Sequence, residues 1–391
     1  MTDNLRGNLW PTDTQVQLLR AATGERDVAL PAFFAWRGLI DLDAEFEPGA
    51  FRLLPLLYVN MQRHGLSDNL MGRLKGTYRM GWCEIHQHLA RARTVLSAFN
   101  EKGVRTLLIK GLPLSLRYYD NPAVRPMADL DIVVPHEQVQ EAFALLRELG
   151  WTEGPYSFDE DIRFHHARQW FHPQGGELDL HWHVMQECSN AACDAHFWTG
   201  AESLDVDGVA TLQFSPTDAL FHAVIHGVRW NREPPIRWIA DAITIIRVAG
   251  GKIDWNAMVQ FAMEQRLTHR LALGLGYLRD AFGAPIPADI VECLRKRRIS
   301  LLERTENTVA LHDSESLYSH PVWKNWVLFA RYCRIHNTPT PLHFVSGFSH
   351  YLRVHWDVQS RSQMGGVIVR GLLRRAGLGK SGRWLPRARH D

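Results

Sequence analysis

The stretch Arg125-Pro126-Met127-Ala128-Asp129-Leu130-Asp131-Ile132-Val133-Val134 decides how this chain is read. Asp129 to Val134 is short, apolar and β-branched toward its end, and so reads as a strand. Alternate residues of a strand share a face, which points the Asp129 and Asp131 carboxylates the same way. Their Cα atoms are then about 6.5–7 Å apart. Two carboxylates at that spacing repel unless a cation lies between them. Magnesium prefers hard oxygen ligands and is held by one or two carboxylates together with substrate phosphates. An acid-x-acid strand facing a cleft is therefore a candidate divalent-cation site for a nucleotide. Taken alone the pattern is weak, because D-x-D is common and two solvated acids on an edge strand are the more frequent explanation.

The neighbouring sequence gives the pair more weight. Upstream, Val104 to Ile109 reads as a buried strand, and Lys110-Gly111 turns it into a helix that carries Pro113 in its first turn. A glycine at a strand-to-helix turn lets backbone N–H groups approach a phosphate, and a helix N-terminus favours negative charge. Lys110 adds a point charge suited to a β- or γ-phosphate. Arg125 lies in the loop just before the acid pair, placed either to meet a phosphate or to hold that loop by an ion pair. Downstream, Glu177 to Val184 reads as another strand, opening Glu177-Leu178-Asp179-Leu180-His181, whose alternation puts Glu177, Asp179, His181 and His183 on one face. Asp179 is a candidate third carboxylate for a cation.

In this order the residues resemble the nucleotidyltransferase fold of the DNA polymerase β-like superfamily. They resemble more closely its branch of uncharacterised bacterial nucleotidyltransferases. The likeness is carried by Leu108-Ile109-Lys110-Gly111, by Arg125-Pro126-Met127-Ala128-Asp129-Leu130-Asp131 and by Asp179-Leu180-His181-Trp182, and spans roughly residues 85–290. Lys110 stands where many superfamily members have a second small residue, so a serine contact to phosphate does not carry over. The resemblance implies transfer of a nucleoside monophosphate from an NTP, ATP by default, to a hydroxyl-bearing acceptor with release of pyrophosphate. It implies two Mg²⁺ or Mn²⁺ ions, the first held by Asp129 and Asp131 and the second by Asp129, Asp131 and Asp179. Lys110, Gly111, Arg125 and His181 are then expected at the nucleotide.

Two rival readings remain at this stage. His181 and His183, with His165 and His166 nearby in sequence, suit a cupin-like metal enzyme built on paired strands. The fold could also serve as a nucleotide-binding or partner-binding module without catalysis. Past the α/β stretch, His222, His226 and Arg229 fall at i, i+4 and i+7, with Asp241 on the next helix. These are secondary candidates for the cleft or ordinary residues of a helical core.

The rest of the chain sets the frame. Its 391 residues correspond to two or three structural units, and 46% hydrophobic with 22% charged residues excludes global disorder. Lys and Arg total 44 against 42 for Asp and Glu, a balance that does not favour a dedicated nucleic-acid binder. The five scattered cysteines predict reduced thiols in a cytoplasmic protein. The N-terminus lacks the apolar core of a secretion signal, and no window of about 18 apolar residues predicts a membrane span. The expected fold class is α+β, a small mixed-sheet core between helical regions. The expected division is a helical region at 1–100, the α/β core at 101–205, a cleft-closing helical domain at 206–300, helix and loop at 301–363, and a basic tail at 364–391.

Overall fold

The computed structural model describes residues 9–41, 46–154, 162, 165–231, 234–312, 352, 365, 366 and 369. The chain divides into two compact units: Met1–Ser157 with Ala167–Ser314, and Phe158–His166 with Glu315–Asp391. Nearly all described residues belong to the first unit. Most of the basic tail and most of the expected helix-and-loop region lie outside the described residues.

The first unit opens with helices. α1 (Asp13–Thr23) starts at a reciprocal cap in which Thr12 accepts from the Gln15 amide and the Gln15 side chain accepts from the Thr12 amide. α2 (Arg26–Leu39), α3 (Pro48–Phe51) and α4 (Leu54–Arg63) follow. The long α5 (Met71–Glu101) keeps Leu74, Ile85, Leu89, Ala92, Leu96 and Phe99 buried along one stripe and ends at Gly103, whose φ is +74°. That left-handed position suits glycine.

Strands and helices then alternate: β1 (Leu107–Ile109), α6 (Gly111–Tyr118), β2 (Asp129–Val133), α7 (Val139–Glu148), β3 (Thr152–Glu153), β4 (Ala167–Phe171), β5 (Glu177–His181), α8 (Ala191–Gly200), β6 (Glu202–Val206) and β7 (Val209–Gln213). One seven-stranded sheet results, in the order β3-β4-β5-β2-β1-β7-β6. The β2–β5 and β1–β7 pairs are parallel and the other pairs antiparallel. This mixed sheet with helices makes the chain an α+β protein, as the sequence pattern predicts.

β6 and β7 have no counterpart in the sequence reading. They join through Asp207 and Gly208, both at positive φ (+49° and +84°), which is the backbone of a tight hairpin turn. The hairpin matters because β7 lies beside β1 and extends the sheet past the Lys-Gly turn.

Helices α9 (Pro216–Gly227), α10 (Arg237–Ala249), α11 (Trp255–Glu264), α12 (Thr268–Phe282), α13 (Ala288–Lys296) and α14 (Leu301–Leu311) complete the unit. Their apolar sides share one core with Leu107, Ile109 and Val133 of the sheet and with much of α1 and α4. The sheet face that carries Asp131 thus changes along β2 from apolar Val133, inside that core, to acid. At the end of α9, buried Arg270 donates to the carbonyls of Ile225 and Val228 and pairs with Glu187 at 2.9 Å. It satisfies helix-terminal carbonyls that would otherwise be orphaned.

Two local expectations need correction. Arg229 lies beyond the end of α9, because the helix stops at Gly227, so it does not continue the His222–His226 face. Cys188 and Cys193 are joined as a disulfide with Cα atoms 6.1 Å apart, where separate thiols were expected. The tight turn Gln186–Cys188 and the start of α8 bring the two together. Cys83 and Cys293 are free, and Cys333 lies outside the described residues. No helix among the described residues is long and apolar enough to cross a membrane.

The close approach of α9 and α10 is testable at Gly227, where a Cβ would overlap the Trp238 ring. Gly227→Ala is expected to destabilise the protein by about 1–3 kcal/mol through overpacking. A lowered midpoint in urea unfolding at unchanged slope checks it.

Candidate active site

The parallel register of β2 and β5 sets Asp131 opposite Asp179, Asp129 opposite Glu177, and Val133 opposite His181. Paired positions on neighbouring strands project from the same face. Ligand atoms of Asp131, Asp179 and His181 lie within 4.8 Å of one another. The observed close cluster is therefore two aspartates and a histidine. Asp129 stands one pleat away, about 6.5–7 Å along the strand, and borders the cluster.

Asp131 is the centre of the charge arrangement. Its Oδ1 lies 2.5 Å from Lys110 Nζ and 3.2 Å from His181 Nε2. Burial alone would raise its carboxyl, but the Lys110 charge and the His181 hydrogen bond outweigh burial and hold it well below the usual carboxylate range. Half-buried Asp129 goes the other way: burial and the neighbouring Asp131 charge push it up to about 6, with Lys110 and Arg237 opposing. Two carboxylates on one strand thus have opposite proton affinities, the behaviour expected of a crowded functional site.

The Lys-Gly turn reaches this cluster through its backbone. Lys110 adopts φ +54° between β1 and α6, an unfavourable region for a non-glycine residue that costs on the order of 1–3 kcal/mol. From that position its side chain reaches Asp131. Gly111 is closely approached, since a Cβ there would sit 3.1 Å from Met127 Sδ and that side chain would have to shift.

Arg125 takes the second of its two expected roles. Its Nε and Nη2 pair with both oxygens of Asp241 at 2.7 and 2.8 Å, and Nη1 donates to the Gly111 carbonyl at 3.1 Å. A buried guanidinium committed on all three nitrogens holds the loop. Tyr119 also donates to Asp241, at 2.8 Å. Arg125 therefore fastens the loop before β2 to the first residue of α6, and Asp241 ties Arg125 to Tyr119 just past the end of that helix. Two further anchors grip the same loop: His88 bonds the Met127 carbonyl at 3.0 Å, and Arg237 Nη1 donates to the Pro126 carbonyl at 2.6 Å. The sequence reading missed both, because α5 and α10 are distant in sequence and neither residue belongs to a recognisable motif.

Of the secondary candidates, His222 is buried within electrostatic reach of Lys110, Asp131 and His181. Burial and the Lys110 charge lower it to about 3, so it is a neutral imidazole. It lines a small recess with Lys110, Tyr118, Gln213 and Phe214. His226 stacks on it with ring centroids 5.6 Å apart, and Arg229 Nη2 comes within 3.5 Å of His226 Nε2.

The cupin-like arrangement is not formed. β5 ends at His181, and His183 Nδ1 lies 2.6 Å from Asp194 Oδ2, so His183 does not join His181 in one ligand set. The chain's direction changes after His181, which ends the alternation that had placed both on one face. His165 and His166 belong to the other compact unit.

Several solved structures are similar to this chain. A nucleotidyltransferase-like protein from Paracoccidioides brasiliensis is 17% identical over 53% of this chain and 96% of its own, with a TM-score of 0.37. ANT(2″)-Ia in complex with adenylyl-2″-tobramycin is 13% identical over 47% of this chain and 99% of its own, at 0.32. The Megavirus polyadenylate synthase is 12% identical over 67% of this chain and 58% of its own, at 0.30. No curated protein matches. Residues 50–283, more than half of the chain, match the family described as uncharacterised nucleotidyltransferase. That span contains the Lys-Gly turn, the acid pair and the Asp179–His181 strand. The chain belongs to this nucleotidyltransferase family.

Proposed function

We propose that this nucleotidyltransferase moves a nucleoside monophosphate from an NTP, with ATP as the default, to a hydroxyl-bearing acceptor, and that Asp129, Asp131 and Asp179 are its acidic residues. The observation that supports this most is the equal register of Asp131 and Asp179 on adjacent parallel strands, with Asp129 on the same face and Lys110 at the turn beside them.

The donor set suits a divalent cation. Asp131 and Asp179 present hard oxygens side by side, and Asp129 carries a charge that burial and Asp131 make costly. Mg²⁺ or Mn²⁺ fits carboxylates of this kind better than softer ions do. When bound, such an ion neutralises phosphate charge and acts as a Lewis acid toward the transferring phosphoryl group. His181 is hydrogen-bonded to Asp131, and this contact orients the carboxylate. Lys110 shares Asp131 Oδ1, so a cation there and the lysine compete for one oxygen. Displaced from it, Lys110 is a point charge for the departing pyrophosphate, beside the Gly111 amide at the start of α6. Arg125 and Asp241 keep that turn and the acid strand in fixed relation. Positioning and charge neutralisation supply most of the acceleration in phosphoryl transfer, so a rigid frame of this sort suits the task.

With Mg²⁺, an NTP and an extract as acceptor source, the wild-type chain is expected to release pyrophosphate. Asp131→Asn and Asp179→Asn are each expected to lower that rate by at least ~100-fold, the scale on which a single stabilising group acts on a charged transition state. Nucleotide binding without pyrophosphate release by the wild type would instead make the protein a binding module.

The Asp129 carboxyl gives a pH test. Folded, it binds its proton up to about 6, against an ordinary 3.8, so between these values the folded chain holds a proton that the unfolded chain has lost. Stability from this group is present at low pH and declines as pH rises through about 6. A cation that needs the ionised form must expel the proton, so affinity should climb with pH up to that point and then level off. Calorimetric titration with Mn²⁺ at pH near 5.5 in two buffers of different ionisation heat should show proton release. Asp129→Asn should abolish the release.

A further inference from the structure

Arg237 is the first residue of α10, and its Nη1 is anchored to the Pro126 carbonyl at 2.6 Å, three residues before Asp129. Its charge acts on Asp129. It forms no ion pair with a carboxylate among the described residues, although Asp241 lies near; Asp241 is taken up on both oxygens by Arg125. α3 packs against the residues just before Arg237, where a Cβ at Gly49 would lie 3.6 Å from Ile236, and Arg52, exposed just after α3, brings a second guanidinium close enough to act on Arg237. Burial, together with the repulsion of Arg125 and Arg52, lowers Arg237 to about 10. Cations crowded in this way gain from an anion that approaches them all.

The place of these cations indicates which anion. The loop that holds Arg237 packs against the start of α6: Arg125 Nη1 bonds the Gly111 carbonyl, and Met127 lies against Gly111. Arg237 and Lys110 both act on Asp129. The cations therefore border the acid strand on the side of the Lys-Gly turn, where the backbone N–H groups of α6 open. A guanidinium offers a planar fork that matches phosphate oxygens two at a time, which a lysine does not.

We propose that Arg237, assisted by Arg52, clamps the β- and γ-phosphates of the NTP and retains the pyrophosphate group as it leaves, the role that buried Arg125 cannot take. This rests on the nucleotidyltransferase reading above and adds to it the residues that distinguish a triphosphate from a monophosphate.

Binding of Mg²⁺ pyrophosphate and, separately, of AMP is measured by calorimetry on the full chain. Arg237→Gln should weaken pyrophosphate binding at least tenfold and alter AMP binding less than twofold. Arg52→Gln, at an exposed position that spares the fold, should weaken pyrophosphate in the same direction, and Arg237→Lys should recover part of the loss. No pyrophosphate binding by the wild type, unchanged binding in Arg237→Gln and Arg52→Gln, or an equal loss of AMP and pyrophosphate would overturn the clamp. A wild type that binds pyrophosphate with this pattern and yet transfers no nucleotide would sustain the clamp and sink the transferase reading.

Discussion

Two carboxylates stand side by side because β2 and β5 run parallel with Asp131 against Asp179, and everything else at the site answers to that constraint. Like charges placed so close, on a face partly withdrawn from water, raise each other's cost of ionisation. Lys110 and His181 offset the cost at Asp131, which stays ionised. Asp129 gets less relief and holds its proton to a higher pH. The strained turn at Lys110 follows from the same need, since it brings an ammonium to the acid pair from the end of β1.

The frame around the acids is a set of grips on one loop. Arg125 and Asp241 form its centre, a bidentate pair sealed from solvent that also takes the Gly111 carbonyl and the Tyr119 hydroxyl. Buried pairs of this kind add little net stability compared with well-packed apolar side chains, although losing one partner is costly. Their value here is positional. They join α10, the loop and the turn into one piece, so the acid strand and the lysine keep their spacing. The anchors from His88 and Arg237 extend that piece to α5 and to the first turn of α10.

Much of this was legible along the chain. The period of α5, the ends of α9 and α11, and the strand status of Asp129–Val133 follow from local pattern, because each element buries one stripe or one face. The Lys-Gly turn and the acid-x-acid strand were visible since both depend on neighbours within a few residues. The β6–β7 hairpin carried a readable signal in Asp207-Gly208, a two-residue turn between alternating residues, that the pattern reading passed over. α2 falls within the stretch expected to be helical but is not marked off as an element by its pattern; it contains Pro31 inside its helical span, a residue that interrupts a helix pattern on paper. The cysteine pair escaped because a spacing of five residues implies nothing until the chain turns between them.

From its sequence alone, this chain determined its α+β class, the two aspartates that share a strand face, and the lysine and glycine that turn the preceding strand into a helix. Those are local matters, decided by periodicity of two or 3.6 residues and by the conformations a glycine allows. Tertiary structure decided the partners. It set Asp179 against Asp131 through strand register, drew His181 into the acid cluster, and ended the alternation before His183 could join it. It gave Arg125 to a carboxylate more than a hundred residues away and set Arg237 on the Pro126 carbonyl, three residues before Asp129. No local pattern records such choices, because which charge neutralises which depends on distances that exist only after strands pair and helices pack.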